Sequence, residues 1–176
     1  PTIVIPSEIY LISNEFRIRH NIPFSDDIMY EYRESLEKIE WQLTNHTQEI
    51  CGYLCSSAET SYGGRVWRVW FSPEIPLSSG PWLLRGLPGL ILMAEDSEGD
   101  FRFEMEGISQ QCEEIRLYDW NTKQITKKQW LKFERNAHLN PYSQFGQGGQ
   151  VRFYNSSDMQ ELKSEWTIEY YPLYRY

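Results

Sequence analysis

Three observations predict a mainly β, α+β fold, built as a strongly curved antiparallel sheet or incomplete barrel with one main helix. Apolar and polar side chains alternate with a period of two along most of the chain, the helix signal is confined to one place, and a long Pro/Gly-rich stretch interrupts the pattern. Ile28, Tyr30 and Tyr32 alternate with Met29, Glu31 and Arg33, and Ile39, Trp41 and Leu43 alternate with Glu40, Gln42 and Thr44. Such strands bury one face and wet the other. A β-like run follows over residues 47–60, then another over 65–71. Residues 90–94 are apolar on both faces, which predicts a central strand. Asp96-Ser97-Glu98-Gly99 reads as the turn of a hairpin. Its second arm places Phe101, Phe103 and Met105 on one side and Arg102, Glu104 and Glu106 on the other. Residues 114–118 continue the sheet, giving seven to nine strands in all.

The helix begins at Thr126. Thr126-Lys127-Lys128-Gln129 fits a capping box, and Trp130, Phe133 and Ala137 follow at helical spacing. The helix should end near Asn140-Pro141, and its apolar stripe should pack on the sheet or plug its concave side. Phe145-Gly146-Gln147-Gly148-Gly149 reads as a flexible loop, Ser157-Asp158-Met159-Gln160 as a weak box opening one short helix, and Trp166, Ile168 and Tyr170 as a last strand. No internal repeat or long linker divides residues 1–176, so they read as a single β-rich domain.

The 176 residues are enough to bury a real core, since a domain of this size hides about 70% of its extended-chain surface. The net charge of −8 argues against nucleic-acid binding, which draws its affinity from cations displacing counterions. Apolar runs stay far below the roughly 20 residues of a transmembrane span. Pro1-Thr2-Ile3-Val4-Ile5-Pro6 has neither an initiator Met nor an export signal, and reads as a trimmed or incomplete start.

Three cysteines (Cys51, Cys55, Cys112) allow at most one intrachain disulfide. On one continuous strand, Cys51 and Cys55 would stand about 13 Å apart, too far to pair with each other. Cys112 remains open as a partner for either. No cysteine or histidine pair has metal-ligand spacing, so no metal or cofactor is expected.

The most unusual segment is residues 72–89, Ser-Pro-Glu-Ile-Pro-Leu-Ser-Ser-Gly-Pro-Trp-Leu-Leu-Arg-Gly-Leu-Pro-Gly. Its prolines and glycines remove the donors and dihedrals that helix or ladder needs, yet Ile75, Leu77, Trp82, Leu83, Leu84 and Leu87 are too apolar for a solvated linker. Such a loop is functional or packed by its own side chains. Pro88-Gly89 suits a type II turn. The string Gly86-Leu87-Pro88-Gly89-Leu90-Ile91 resembles the motif of the GLPGLI family of exported bacterial proteins. Further agreement comes from Trp41-x-Leu43, Gly52-Tyr53 with Cys55 and Ala58, Gly64-Arg65, and residues 70–76 with Pro73 and Pro76. Gly80-Pro81-Trp82, residues 101–108 and a less distinctive end at 168–172 complete it. The resemblance implies an exported protein of the periplasm or outer envelope, of uncharacterised function, missing its signal peptide and first β segment here. A fainter architectural likeness is to curved-sheet lipoprotein carriers.

No Gly-x-Ser-x-Gly elbow, His-Glu-x-x-His, phosphate loop or dinucleotide fingerprint occurs, so no catalytic residue is named and a hydrolase is the least favoured class. Glu95, Asp96, Glu98 and Asp100 at the hairpin tip can be read as oxygen ligands for calcium or as a solvated turn. Arg65 and Arg85 can bind an anionic group or tie the Pro-rich loop to the sheet. Trp41, Trp67, Trp70 and Trp82 can line a pocket or fill a core. The leading reading is a non-enzymatic envelope protein binding an apolar or peptide ligand on the concave side of the sheet. Its candidate ligand residues are Arg65, Trp67, Trp70, Trp82, Leu84, Arg85 and Leu87. The alternative is an interaction module docking on another envelope protein through exposed sheet edges or an aromatic patch.

Overall fold

The structure, a computed structural model, describes residues 2–4, 8–21, 28–109, 121–139 and 170–172. Eleven strands and one helix are seen among these residues, and the mainly β class holds, without a closed barrel. The strands form three sheets of two, four and five strands rather than one. The chain, read from sequence as one domain, divides into two compact units: Pro1–Leu36 with Tyr118–Pro172, and Glu37–Leu117 with Leu173–Tyr176.

In the first unit, β1 (Thr2–Val4) runs parallel to β11 (Tyr170–Pro172). The four-stranded sheet has the order β10 (Asn121–Gln124), β4 (Ile28–Ser35), β3 (Glu15–Asn21), β2 (Glu8–Ile12). β2 and β3 form a hairpin whose turn residues Ser13 and Asn14 both have positive φ, 50° and 66°. That is the backbone twist a two-residue hairpin needs. β10 lies parallel to β4 although some 90 residues separate them, a pairing with no local sequence signal. These parallel pairs correct the expectation of a wholly antiparallel sheet.

Glu8, Arg19, Glu31 and Gln124 are direct partners across successive strands and make one polar row. Arg19 donates to Glu31 (2.8 Å) and Glu8 (3.3 Å), and Gln124 donates to Glu31 (2.8 Å). Glu31, expected on a wet face, is only 2% exposed; period-two alternation marks a face but not what covers it. The helix α1 (Lys127–Leu139) starts as predicted. The Gln129 side chain accepts from the Thr126 amide (2.8 Å), and Thr126 Oγ1 accepts from the Gln129 amide (3.2 Å). Trp130 is buried and stacks on His20 at 4.0 Å, and Phe133 stacks on Tyr30 at 5.9 Å.

In the second unit, β5 (Gln42–Ile50), β6 (Tyr53–Tyr62), β7 (Arg65–Ser72), β8 (Leu90–Asp96) and β9 (Arg102–Glu104) follow one another as an antiparallel meander. The run expected over residues 47–60 is broken into a hairpin. Cys51 and Gly52 take positive φ (50° and 81°), and Ile50 pairs with Tyr53. Cys51 is a rare residue at such a position, which is why the run reads as continuous. Both Cys51 and Cys55 are free thiols. β8 is flanked on both sides, as its two apolar faces predict, and the hairpin from β8 to β9 forms as expected. Trp67, Val69, Ala58, Leu83, Leu84 and Ala94 form part of the buried interior. The expected elements at residues 114–118, 145–149, 157–160 and 166–168 lie outside the described residues.

Candidate functional site

The loop between β7 and β8 is held by its own backbone and by buried apolar side chains. The amides of Leu90 and Ile91 donate to Ile75 and Ser79 carbonyls at 3.0 and 2.9 Å, and Leu83, Leu84 and Leu87 are almost fully buried. Gly89 is required by close approach, since a Cβ there would collide with the Ser72 carbonyl. The positive φ expected at Gly89 occurs instead at Gly86 (96°), so Pro88-Gly89 does not form the type II turn. The motif prolines 73, 76, 81 and 88 and glycine 80 belong to this packed loop, while Leu90 and Ile91 open β8. Gly52 completes the β5–β6 turn, Tyr53 opens β6, and Gly64 lies in the β6–β7 turn.

The structure gathers most of the candidate ligand residues, but as interior. Arg65 bonds Asp96 (2.5 Å) and Asp100 (2.8 Å), and its guanidinium lies 4.6 Å from the centre of the Phe101 ring. The pair is buried, and Asp96 also accepts from the Phe101 amide. This removes the calcium reading of the hairpin tip: its two aspartates serve a guanidinium. Among the described residues no group of three His, Cys, Asp or Glu can hold a metal. Trp67 is fully buried, with its ring 5.7 Å from Trp82, and donates to the Tyr62 carbonyl (3.1 Å). Trp82 itself, at φ 53°, packs 5.5 Å from Tyr62. Arg85 donates to the carbonyls of Leu83 (2.7 Å) and Glu37 (2.5 Å), and Trp41 donates to the Arg85 carbonyl (2.8 Å). Of the two roles weighed for each arginine, these geometries are those of a structural tie.

Trp70 is separate, because its odd spacing from Trp67 turns it to the other face of the sheet. There it packs with Ile50, Cys55, Leu92 and Met93. An open basin of about 500 Å³ lies over this cluster, lined by Gln48, Glu49, Ile50, Cys51, Trp70, Met93, Glu95, Arg102, Glu104 and Met105. Beside it Glu59, Arg68, Glu95 and Arg102 are direct partners across β6, β7, β8 and β9. The row is joined at 2.8 Å (Arg68–Glu59), 4.0 Å (Arg68–Glu95) and 3.6 Å (Arg102–Glu95). Neither the basin nor the row is legible in the sequence, since residues 59, 68, 95 and 102 meet only once the register is known.

A second opening of about 670 Å³ runs along β9, between the loop at Ser79, Gly80 and Pro81 and the segment with Phe103 in the strand and Met105 and Gly107 beyond it. The Met105 amide donates to Leu92 and the Phe101 carbonyl accepts from Asp96, so positions 101, 103 and 105, on and flanking β9, direct their backbone groups to β8. Antiparallel alternation then turns the amides and carbonyls of Arg102 and Glu104 outward, and no described strand pairs with that edge.

A family model described as "N-glycanase peptide, N-terminal domain" matches residues 2–130. Two solved structures of PNGF-II, in the P21 and C2 space groups, resemble the chain with TM-scores of 0.49 and 0.48 at 18% and 16% identity. Each match covers 71% of this chain but 23% of the other, so the chain spans about a quarter of their length. No curated protein matches. The family match overturns the GLPGLI resemblance. Its short string of glycine, proline and leucine meets local needs, close approach at Gly89 and positive φ at Gly86, and does not identify a family.

Proposed function

The chain belongs to the family of N-glycanase peptide N-terminal domains, and from that membership we propose that it is a non-catalytic domain that recognises the peptide part of an N-glycosylated substrate. The family match over residues 2–130 carries this reading. The outward backbone groups of Arg102 and Glu104 support it, because an extended peptide can add there as a further strand with alternate side chains in the adjoining groove. Export belongs to the same reading, since N-glycan acceptors are surface loops of secreted proteins. Binding of an apolar ligand gains no support, because Arg65, Trp67, Leu84 and Leu87 are buried.

The test uses an N-glycosylated peptide of ten to fifteen residues and the same peptide without its glycan. Incubation with the chain should leave the glycopeptide mass unchanged, whereas conversion of its Asn to Asp would overturn the non-catalytic reading. Both peptides should shift the amide resonances of Arg102 and Glu104, and Glu104→Pro, which removes one outward N–H, should abolish the Arg102 shift while leaving the fold intact. Unmoved β9 amides at millimolar peptide would overturn peptide recognition.

A further inference from the structure

We propose that the peptide added along β9 carries a basic, an apolar and an acidic residue in that order, its two charges selected by Glu104 and Arg102; the proposal rests on the peptide recognition already proposed and names the class of sequence recognised. Strand register lines up two rows of side chains on one face of the five-stranded sheet. One runs through Gln42, Glu59, Arg68, Glu95 and Arg102, each the direct partner of the next. The other runs through Ser57, Trp70, Met93 and Glu104. The first row alternates in sign. At the β5 edge it is closed by a neutral amide, Gln42, but at the β9 edge it ends on the positive charge of Arg102. The second row ends at the same edge on the negative charge of Glu104. In the chain by itself Arg102 turns along its own strand, where its Nε and Nη2 donate to Glu104 Oε2 at 3.2 and 2.9 Å, and it lies 3.6 Å from Glu95.

An antiparallel strand added to this edge exchanges both backbone bonds with Arg102 and both with Glu104. Two of its residues then stand directly opposite them, with Cα atoms about 5.5 Å away. Directly opposed unlike charges stabilise a pair of strands and like charges destabilise it. The place beyond Arg102 therefore suits Asp or Glu, which continues the alternation of the first row, and the place beyond Glu104 suits Lys or Arg. Every pairing in this sheet is antiparallel, and continuing that pattern puts the residue opposite Glu104 two places N-terminal to the one opposite Arg102. The residue between them lies opposite Phe103 and turns to the other face of the sheet. There Pro81, Leu92, Phe103 and Met105 line the opening of about 670 Å³, which suits an apolar side chain.

The probe is a blocked nonapeptide of alternating Thr and Ser with Lys-Val-Asp at its centre, compared with the same peptide carrying Asp-Val-Lys or Gln-Val-Asn there. Titrated into the full chain and followed at the Arg102 and Glu104 amide resonances, the Lys-Val-Asp peptide should bind at least about fivefold tighter than Asp-Val-Lys, with Gln-Val-Asn between them. In 1 M salt, where the screening length falls to about 3 Å, the difference should shrink below about twofold. Arg102→Glu combined with Glu104→Arg should reverse the preference with unchanged circular dichroism, since both side chains are more than half exposed. Equal binding of the two charge orders while both amides still move, a preference for Asp-Val-Lys, or a preference undiminished in 1 M salt would overturn the charge assignment and leave peptide recognition standing. Amides unmoved by all three peptides at millimolar concentration would overturn both, and the two charges would then serve only to guard the edge against pairing.

Discussion

His20 stacks on two aromatic rings, 4.0 Å from Trp130 and 5.7 Å from Tyr32, and its Nε2 has no hydrogen-bond partner among the described residues. Burial lowers its pKa to about 3, so it stays neutral in the folded chain through mild acid. An unfolded histidine protonates near pH 6.5, so the folded state loses ground as pH falls below that value and continues to lose it down to about pH 3. Urea unfolding should show a loss of about 2 kcal/mol between pH 7.5 and pH 5. His20→Phe should flatten that slope without lowering stability at neutral pH, since it removes an unpaired buried nitrogen. Glu31 acts in a lower window. Burial opposes its charge, but hydrogen bonds from Arg19 and Gln124 outweigh that and hold its pKa below the ordinary carboxylate value, so its contribution is lost only below about pH 4.5. At Arg65 the relevant measurement is neutral-pH stability. Arg65→Met leaves Asp96 buried without its counter-charge and should cost about 3–5 kcal/mol by chemical denaturation. In the sequence Arg65 stands out for the aromatic strand it opens. Its partners are out of sight there because Asp96 and Asp100 stand 31 and 35 residues further on.

Among the elements, those with local rules were legible. The capping box at Thr126 and Gln129 forms as its residue types dictate, and Thr126→Ala should lower stability by about 1 kcal/mol, read from thermal melts of the helix signal. The alternation at Phe101 to Met105 and the Pro-rich interruption were equally plain, because each is set by neighbours in sequence. The hairpin at Cys51-Gly52 escaped because cysteine seldom adopts positive φ. The candidate ligand residues were legible as a group but not in role. Aromatic and leucine side chains that close a core and those that line a pocket obey the same pattern, and only the burial of Trp67, Leu84 and Leu87 separates the two.

At the scale of the whole molecule, each large sheet carries one transverse row of acids alternating with arginine. The row through Arg19 is buried and the row through Arg68 and Arg102 is open to water. Equal chemistry in unequal surroundings predicts unequal cost. Arg68→Ala should change stability by less than about 1 kcal/mol, and by less still in high salt. Arg19→Met should cost about 3–5 kcal/mol with little dependence on salt, because Glu31 would be stranded in the interior. Both rows were hidden in the sequence, for register is a property of pairs of strands. The same holds for β1 and β11, which lie side by side with Thr2 against Tyr170. A ribosome working at about 5–20 residues per second needs on the order of ten seconds to supply that partner. Strand β1 therefore settles late, and until β11 has been made the nascent chain must carry it without that partner.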